Sequence, residues 1–171
     1  MNKELYLIRH AKSDRQYRSL PDIDRPLNKR GLKDAPLMAE RLRKQQVIPD
    51  RIISSPAKRA LITAHIFAET LGLKKELIAI EPAIYYGGQK GILKILSQVE
   101  TEVRTVLLFG HNPDITVLAG RLSGVLIDNI PTCGIVRIDF EIDSWTDLSP
   151  DHGRFVFFDY PKNNNQDTLL A

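Results

Sequence analysis

From Glu4 to Leu122, short apolar runs of strand length alternate with stretches in which apolar residues recur at helical spacing. Glu4–Ile8, Arg51–Ser54, Leu77–Ile80 and Val106–Phe109 read as strands, the last being the most hydrophobic and the one expected at the centre of a sheet. Between them lie helical patterns. One is capped by Asn28 and carries Leu32, Leu37, Met38 and Leu42, with Pro36 expected to kink or restart it. A second spans 57–71 with Ala60, Ala64, Phe67 and Leu71 on one face and Gly72 at the C-cap position. A third follows the Tyr86-Gly87-Gly88 turn with Ile92, Leu93, Leu96 and Val99 on one face, and a fourth covers 115–122. After that the pattern changes: Gly134–Ile142 and Gly153–Tyr160 alternate in strand fashion and are expected to pair as a hairpin. The expected fold class is α/β, a three-layer α/β/α arrangement with a central, mostly parallel sheet and a C-terminal antiparallel element. One domain is expected over 1–160, followed by a polar, Asn-rich, flexible tail over 161–171.

Composition narrows this picture without changing it. In 171 residues, 24 Lys+Arg against 21 Asp+Glu leave a net charge of +3, and apolar residues make up 43%. No apolar run approaches the roughly 18 residues of a membrane span, so no membrane association is expected. An excess of +3 is a weak field, and the aromatic residues show no interleaving with basic ones, so nucleic-acid binding is not expected. The single cysteine, Cys133, excludes an internal disulfide and reads as a small buried residue. With no signal-peptide pattern at the N-terminus, a cytoplasmic monomer is expected.

Candidate chemistry appears where strands end. Arg9-His10 follows the first strand, Arg59 opens the helix after the second, and His111 directly follows Val106–Phe109. Ligands of open α/β sheets bind beyond the carboxyl ends of the strands. If these three strands are parallel neighbours, Arg9, His10, Arg59 and His111 meet in one pocket, an array suited to a phosphoryl group. Taken singly, a histidine at a strand end is usually structural and an arginine in a first helical turn is usually solvated. It is the threefold recurrence that points to a site.

These segments resemble a known family. Leu7-Ile8-Arg9-His10-Ala11 is similar to the opening signature of the histidine phosphatase superfamily, with Ala11 where the family usually has glycine. Ser54-Ser55-Pro56-x-x-Arg59-Ala60-x-x-Thr63-Ala64 resembles its second-arginine motif, and Gly110-His111-Asn112-Pro113 its second-histidine motif. Asp24-Arg25-Pro26-Leu27-x-x-x-Gly31 and Arg9-His10-Ala11-Lys12-Ser13 look most like the small SixA-type phosphohistidine phosphatases. The likeness covers about residues 4–160 and implies a phosphoglycerate mutase-like fold.

The resemblance also implies roles. His10 would be the nucleophile, forming a transient phosphohistidine that water hydrolyses, with Arg9, Arg59 and His111 binding the phosphoryl oxygens. No metal or other cofactor is implied. The attacking nitrogen must be unprotonated, so the other ring nitrogen should donate to a backbone carbonyl or similar acceptor. The departure is the general acid: Ala83 falls where the larger relatives place a glutamate. Glu81, Asp14 and Asp24 are the nearby carboxylates considered for that role, while Lys12, Arg15, Arg18 and Arg25 form a candidate basic rim. An alkoxide leaving group, with a conjugate acid near pKa ~16, needs a proton in flight. Phosphohistidine protonated on its distal nitrogen departs as neutral imidazole, whose conjugate acid has a pKa of about 6.5, and tolerates a missing acid.

The expected function is therefore hydrolysis of phosphohistidine on a partner protein, such as a histidine-phosphotransfer domain. The alternatives are a small-molecule phosphomonoesterase on the same core, with Glu81 or Asp14 as acid, and a non-catalytic module binding phosphate or phosphoprotein. A mutase is disfavoured because so short a chain leaves little for a lid.

Overall fold

In the computed structural model, residues 2–150 and 152–164 are described. Six strands form one sheet: β1 (Asn2–Arg9), β2 (Arg51–Ser54), β3 (Ile78–Ile80), β4 (Thr105–Gly110), β5 (Ile135–Glu141) and β6 (Arg154–Asp159), in the spatial order β3-β2-β4-β1-β5-β6. The first four strands run parallel, and β5 and β6 add an antiparallel edge. The helices are α1 (Lys29–Lys44), α2 (Lys58–Thr70), α3 (Ala83–Tyr86), α4 (Gly88–Leu96) and α5 (Asp114–Ser123).

Alternation along the strands builds two cores. Leu5, Leu7, Val106 and Leu108 face α4 and α5, whereas Tyr6, Ile8, Leu107 and Phe109 face α1 and α2. The result is the expected three-layer α/β/α fold with a mostly parallel sheet. β4 lies between β2 and β1, and all six of its residues are buried.

The helices depart from expectation where large side chains misled. Asn28 does cap α1, its side chain accepting the Gly31 amide at 2.9 Å, but the helix continues through Pro36 without restarting. Leu32 and Leu37, expected on its buried face, are 53% and 42% exposed. Met38 and Leu42 are buried as expected, and Gly31, Ala35 and Ala39 complete the face in place of the two leucines, because the helix lies close to its neighbours. A Cβ on Gly31 would stand 2.2 Å from the Lys12 carbonyl oxygen. α4 ends at Leu96, so Val99 lies beyond the helix although it packs on the same core.

β5 and β6 pair antiparallel with a register shift at Arg137/Ile138, but the connection between them is no tight turn. It contains a 3-10 turn, Trp145–Asp147, that buries the Trp145 side chain. The start of the expected tail is tied down: the Pro161 carbonyl accepts from Arg41, whose guanidinium also pairs with buried Asp159 at 2.9 Å. The remainder, 165–171, lies outside the described residues.

Between β1 and α1 the chain makes an excursion with a closed neck. The Asp14 amide donates to the Pro26 carbonyl at 2.8 Å, the Asn28 amide to the Lys12 carbonyl at 3.0 Å, and Ser13 bridges to Leu27. Among the described residues, no helix is long and apolar enough to cross a membrane.

Candidate active site

Because β2, β4 and β1 are parallel neighbours, their carboxyl ends open at one edge of the sheet and bring the three motifs together. The register carries on beyond the strands: the His10 amide donates to the Gly110 carbonyl and the Ser55 amide to the Phe109 carbonyl, both at 3.1 Å. Thr63, one turn beyond Arg59 on α2, joins the first two motifs. Its hydroxyl accepts the Ala11 amide at 3.0 Å and donates to the Arg59 carbonyl at 2.7 Å.

His10 is only 7% exposed. Its Nδ1 lies 2.8 Å from the Ala11 carbonyl oxygen, which can only accept, so Nδ1 carries the proton and Nε2 presents a lone pair. That lone pair faces the Arg59 Nε at 3.3 Å. Arg59, 5% exposed, directs its outer nitrogens to Asp22: Nη1 to the backbone carbonyl at 2.7 Å and Nη2 to Oδ2 at 3.0 Å. Arg9 donates from Nη1 to the Ile130 carbonyl at 2.9 Å, and its buried Nε has no partner among the described residues. The His111 ring lies 5.2 Å from that of His10, with Nε2 2.7 Å from the Ser55 hydroxyl and Nδ1 unpartnered. Tyr85 sets its ring edge-on to His111 at 5.5 Å.

Burial dominates the electrostatics. It pushes His10 down to about 3, with the bond to Ala11 opposing and His111, Arg59 and Arg9 reinforcing. His111 falls to about 4, through burial and then the Arg59 charge, with Asp22 opposing. Both rings are therefore neutral at neutral pH. Asp22 is held at about 2, first by the Tyr85 hydroxyl and then by Arg59 and Arg25, so its carboxyl is ionised. Burial also lowers Arg9, helped by Arg15 and Arg59.

His10 and His111 open onto a cavity of about 160 Å³ with Ser13, Asn112, Thr132 and five cations: Arg9, Lys12, Arg15, Arg25 and Arg59. No Asp or Glu is among these lining residues. A lining of this composition suits a small oxyanion. Among the described residues, no group of three or more His, Cys, Asp or Glu is placed to hold a metal ion.

Arg9, His10, Arg59, His111 and the rim residue Arg25 are thus brought together. The carboxylates considered as acids are placed elsewhere. Asp14 accepts the Gln16 amide at 2.8 Å within its own turn. Glu81 extends β3's line, its amide donating a hydrogen bond to the Ser54 carbonyl, and it lines a separate hollow with Arg51 and Glu100. Asp24 is exposed and lines no part of the cavity. Sequence reasoning missed the parts played by Ser55, Thr63, Asp22 and Tyr85. Ser55 and Thr63 stand inside the second-arginine motif, whose spacing carried them unseen. Asp22 stands two residues before Asp24, and nothing local marks it or Tyr85.

Known proteins resemble this chain in sequence and in fold. The model of the histidine phosphatase superfamily (branch 1) matches residues 5–81. An uncharacterised chloroplastic protein of Arabidopsis thaliana is 31% identical over 153 residues, 85% of this chain and 70% of the relative. Among solved structures, one from Agrobacterium tumefaciens assigned as the phosphohistidine phosphatase SixA is 26% identical, with a TM-score of 0.77 over 93% of this chain and 98% of that one. The protein histidine phosphatase SixA in complex with tungstate is 24% identical, with a TM-score of 0.78 over 92% and 97%, a likeness of fold.

Proposed function

This chain belongs to the histidine phosphatase superfamily, and from that premise we propose that it hydrolyses phosphohistidine on a partner protein through a phosphorylated His10. The observation that carries the reading is the bond from His10 Nδ1 to the Ala11 carbonyl, which leaves Nε2 unprotonated and aimed into the cavity. Nε2 attacks phosphorus, the bond from phosphorus to the substrate nitrogen breaks, and the leaving imidazole, already protonated on its other nitrogen, departs neutral. Water then attacks the phosphorus on His10, releasing inorganic phosphate and restoring the ring. Arg9, Arg59 and the cationic rim compensate the charge on the phosphoryl oxygens through both steps.

The choice of substrate rests on the cavity lining. With five cations and no carboxylate, it offers binding for a phosphoryl group and no acid for an alkoxide. A nitrogen leaving group matches this lining better than an ester oxygen. The likeness to the Agrobacterium SixA structure supports the same reading.

The test is to offer the protein a partner phosphorylated on histidine alongside a panel of alkyl phosphates. Acid-labile label trapped on His10, absent from His10→Ala, and at least ~100-fold preference for phosphohistidine are expected. Equal efficiency on both substrates overturns the phosphohistidine assignment. Binding without turnover of either reduces the protein to a phosphoryl-binding module.

A further inference from the structure

The guanidinium of Arg59 is planar and carries five N–H groups in fixed directions. Asp22 engages its end edge, Nη1 through the backbone carbonyl and Nη2 through Oδ2. The side edge, formed by Nε and the second hydrogen of Nη2, is left turned towards His10, where Nε already stands 3.3 Å from Nε2. That side edge is the fork that would meet two phosphoryl oxygens at once.

The carboxylate gripping Arg59 is itself held on both oxygens. Tyr85 donates its hydroxyl to Oδ2 at 2.6 Å, and Arg25 pairs with Oδ1 at 2.8 Å. Arg25 lines the cavity, and the Tyr85 ring abuts His111, so one carboxylate links three groups that surround the phosphoryl position. Its side chain is 53% exposed against 7% for Arg59. An ion pair so open to water adds little stability, so what it contributes is orientation.

We propose that Asp22 is a positioning residue for phosphoryl binding: it clamps the end edge of Arg59 so that the side edge faces His10, with Tyr85 and Arg25 fixing the clamp. This rests on the reading of Arg59 as a phosphoryl ligand. Without the Asp22 carboxylate only the backbone carbonyl still holds Nη1, so the guanidinium pivots about that bond and the bidentate fork is formed only part of the time. The Asp22 charge also supports proton affinity at His111, so its removal shifts the titration of that ring to more acid pH.

Tungstate binding by calorimetry tests this without requiring turnover, in the wild type, Asp22→Ala, Arg59→Ala and the double variant. Asp22→Ala is expected to bind about tenfold more weakly, and the double variant no more weakly than Arg59→Ala, because the effect of Asp22 passes through Arg59. Tyr85→Phe is expected to lose about threefold. Unchanged binding in Asp22→Ala, unchanged binding in Arg59→Ala, or losses that add in the double variant would overturn the proposal. If Asp22→Ala does not fold, Asp22→Asn, which keeps the shape and removes the charge, takes its place in the cycle. A titration of His111 that fails to move in the Asp22 variant also counts against it. Absence of label on His10 refutes the phosphatase reading and leaves this cycle interpretable.

Discussion

The Ser55 hydroxyl oxygen lies 2.7 Å from His111 Nε2 and accepts the amide of Ala57 at 3.1 Å. One buried hydroxyl thus fixes both the ring of the second histidine and the turn into the helix that carries Arg59. Ser55→Ala leaves both His111 nitrogens without a partner and frees the ring to rotate. We expect kcat/KM on a phosphohistidine substrate to fall about tenfold, with a modest loss of stability, as read by steady-state kinetics and thermal melting.

Thr63→Val tests the link between motifs. Valine keeps the volume but leaves the Ala11 amide, in the buried turn after His10, without an acceptor. The expected cost is about 1–3 kcal/mol. In a chain of this size each kcal/mol lowers Tm by about 2–4 °C, which calorimetry resolves.

Glu81→Gln and Asp14→Asn should leave kcat/KM within about threefold of the wild type. A residue acting as general acid contributes roughly 10²–10⁴-fold, so a larger drop in either variant would return that residue to the site. Activity assays on phosphohistidine and ester substrates, run side by side, read the difference.

The depressed histidines set a pH dependence of stability. His10 and His111, at about 3 and about 4, remain neutral in the folded state at pH values where the unfolded chain, with histidines near 6.5, takes up protons. The unfolded state therefore binds more protons below about 6.5, and stability falls as pH drops from there towards 4. Each ring contributes up to about 1.4 kcal/mol per pH unit in that window. Denaturant melts should show the decline, and His10→Asn should make it shallower. By NMR, the His10 ring is expected to stay neutral from about pH 5 to about pH 8.

How much of this could be read from the chain depends on how local the signal is. Arg9, His10 and His111 stand out because bulky polar residues end strands that are otherwise buried, and the strand alternation that isolates them also builds both cores. Arg59 follows from its place at the head of a helix after a strand. Asp22 and Tyr85, 63 positions apart in the chain, meet in the fold, and neither interrupts any pattern. The face of α1 was misjudged for a different reason: close approach selects Gly31, Ala35 and Ala39, whereas periodicity is counted on large residues such as Leu32 and Leu37. Small residues pack without leaving a mark that a hydrophobic pattern detects.

The closed neck at Lys12, Ser13, Leu27 and Asn28 makes the exposed residues 16–20, beyond the cavity cation Arg15, an exchangeable cassette. Their ends are pinned, so lengthening the segment costs only about 0.6 kcal/mol per doubling of the loop. The sheet, on the far side of the neck, is not disturbed by such a change. Residues exchanged there would change the surface around the mouth of the pocket while Arg9, Arg15, Arg59 and both histidines keep their places.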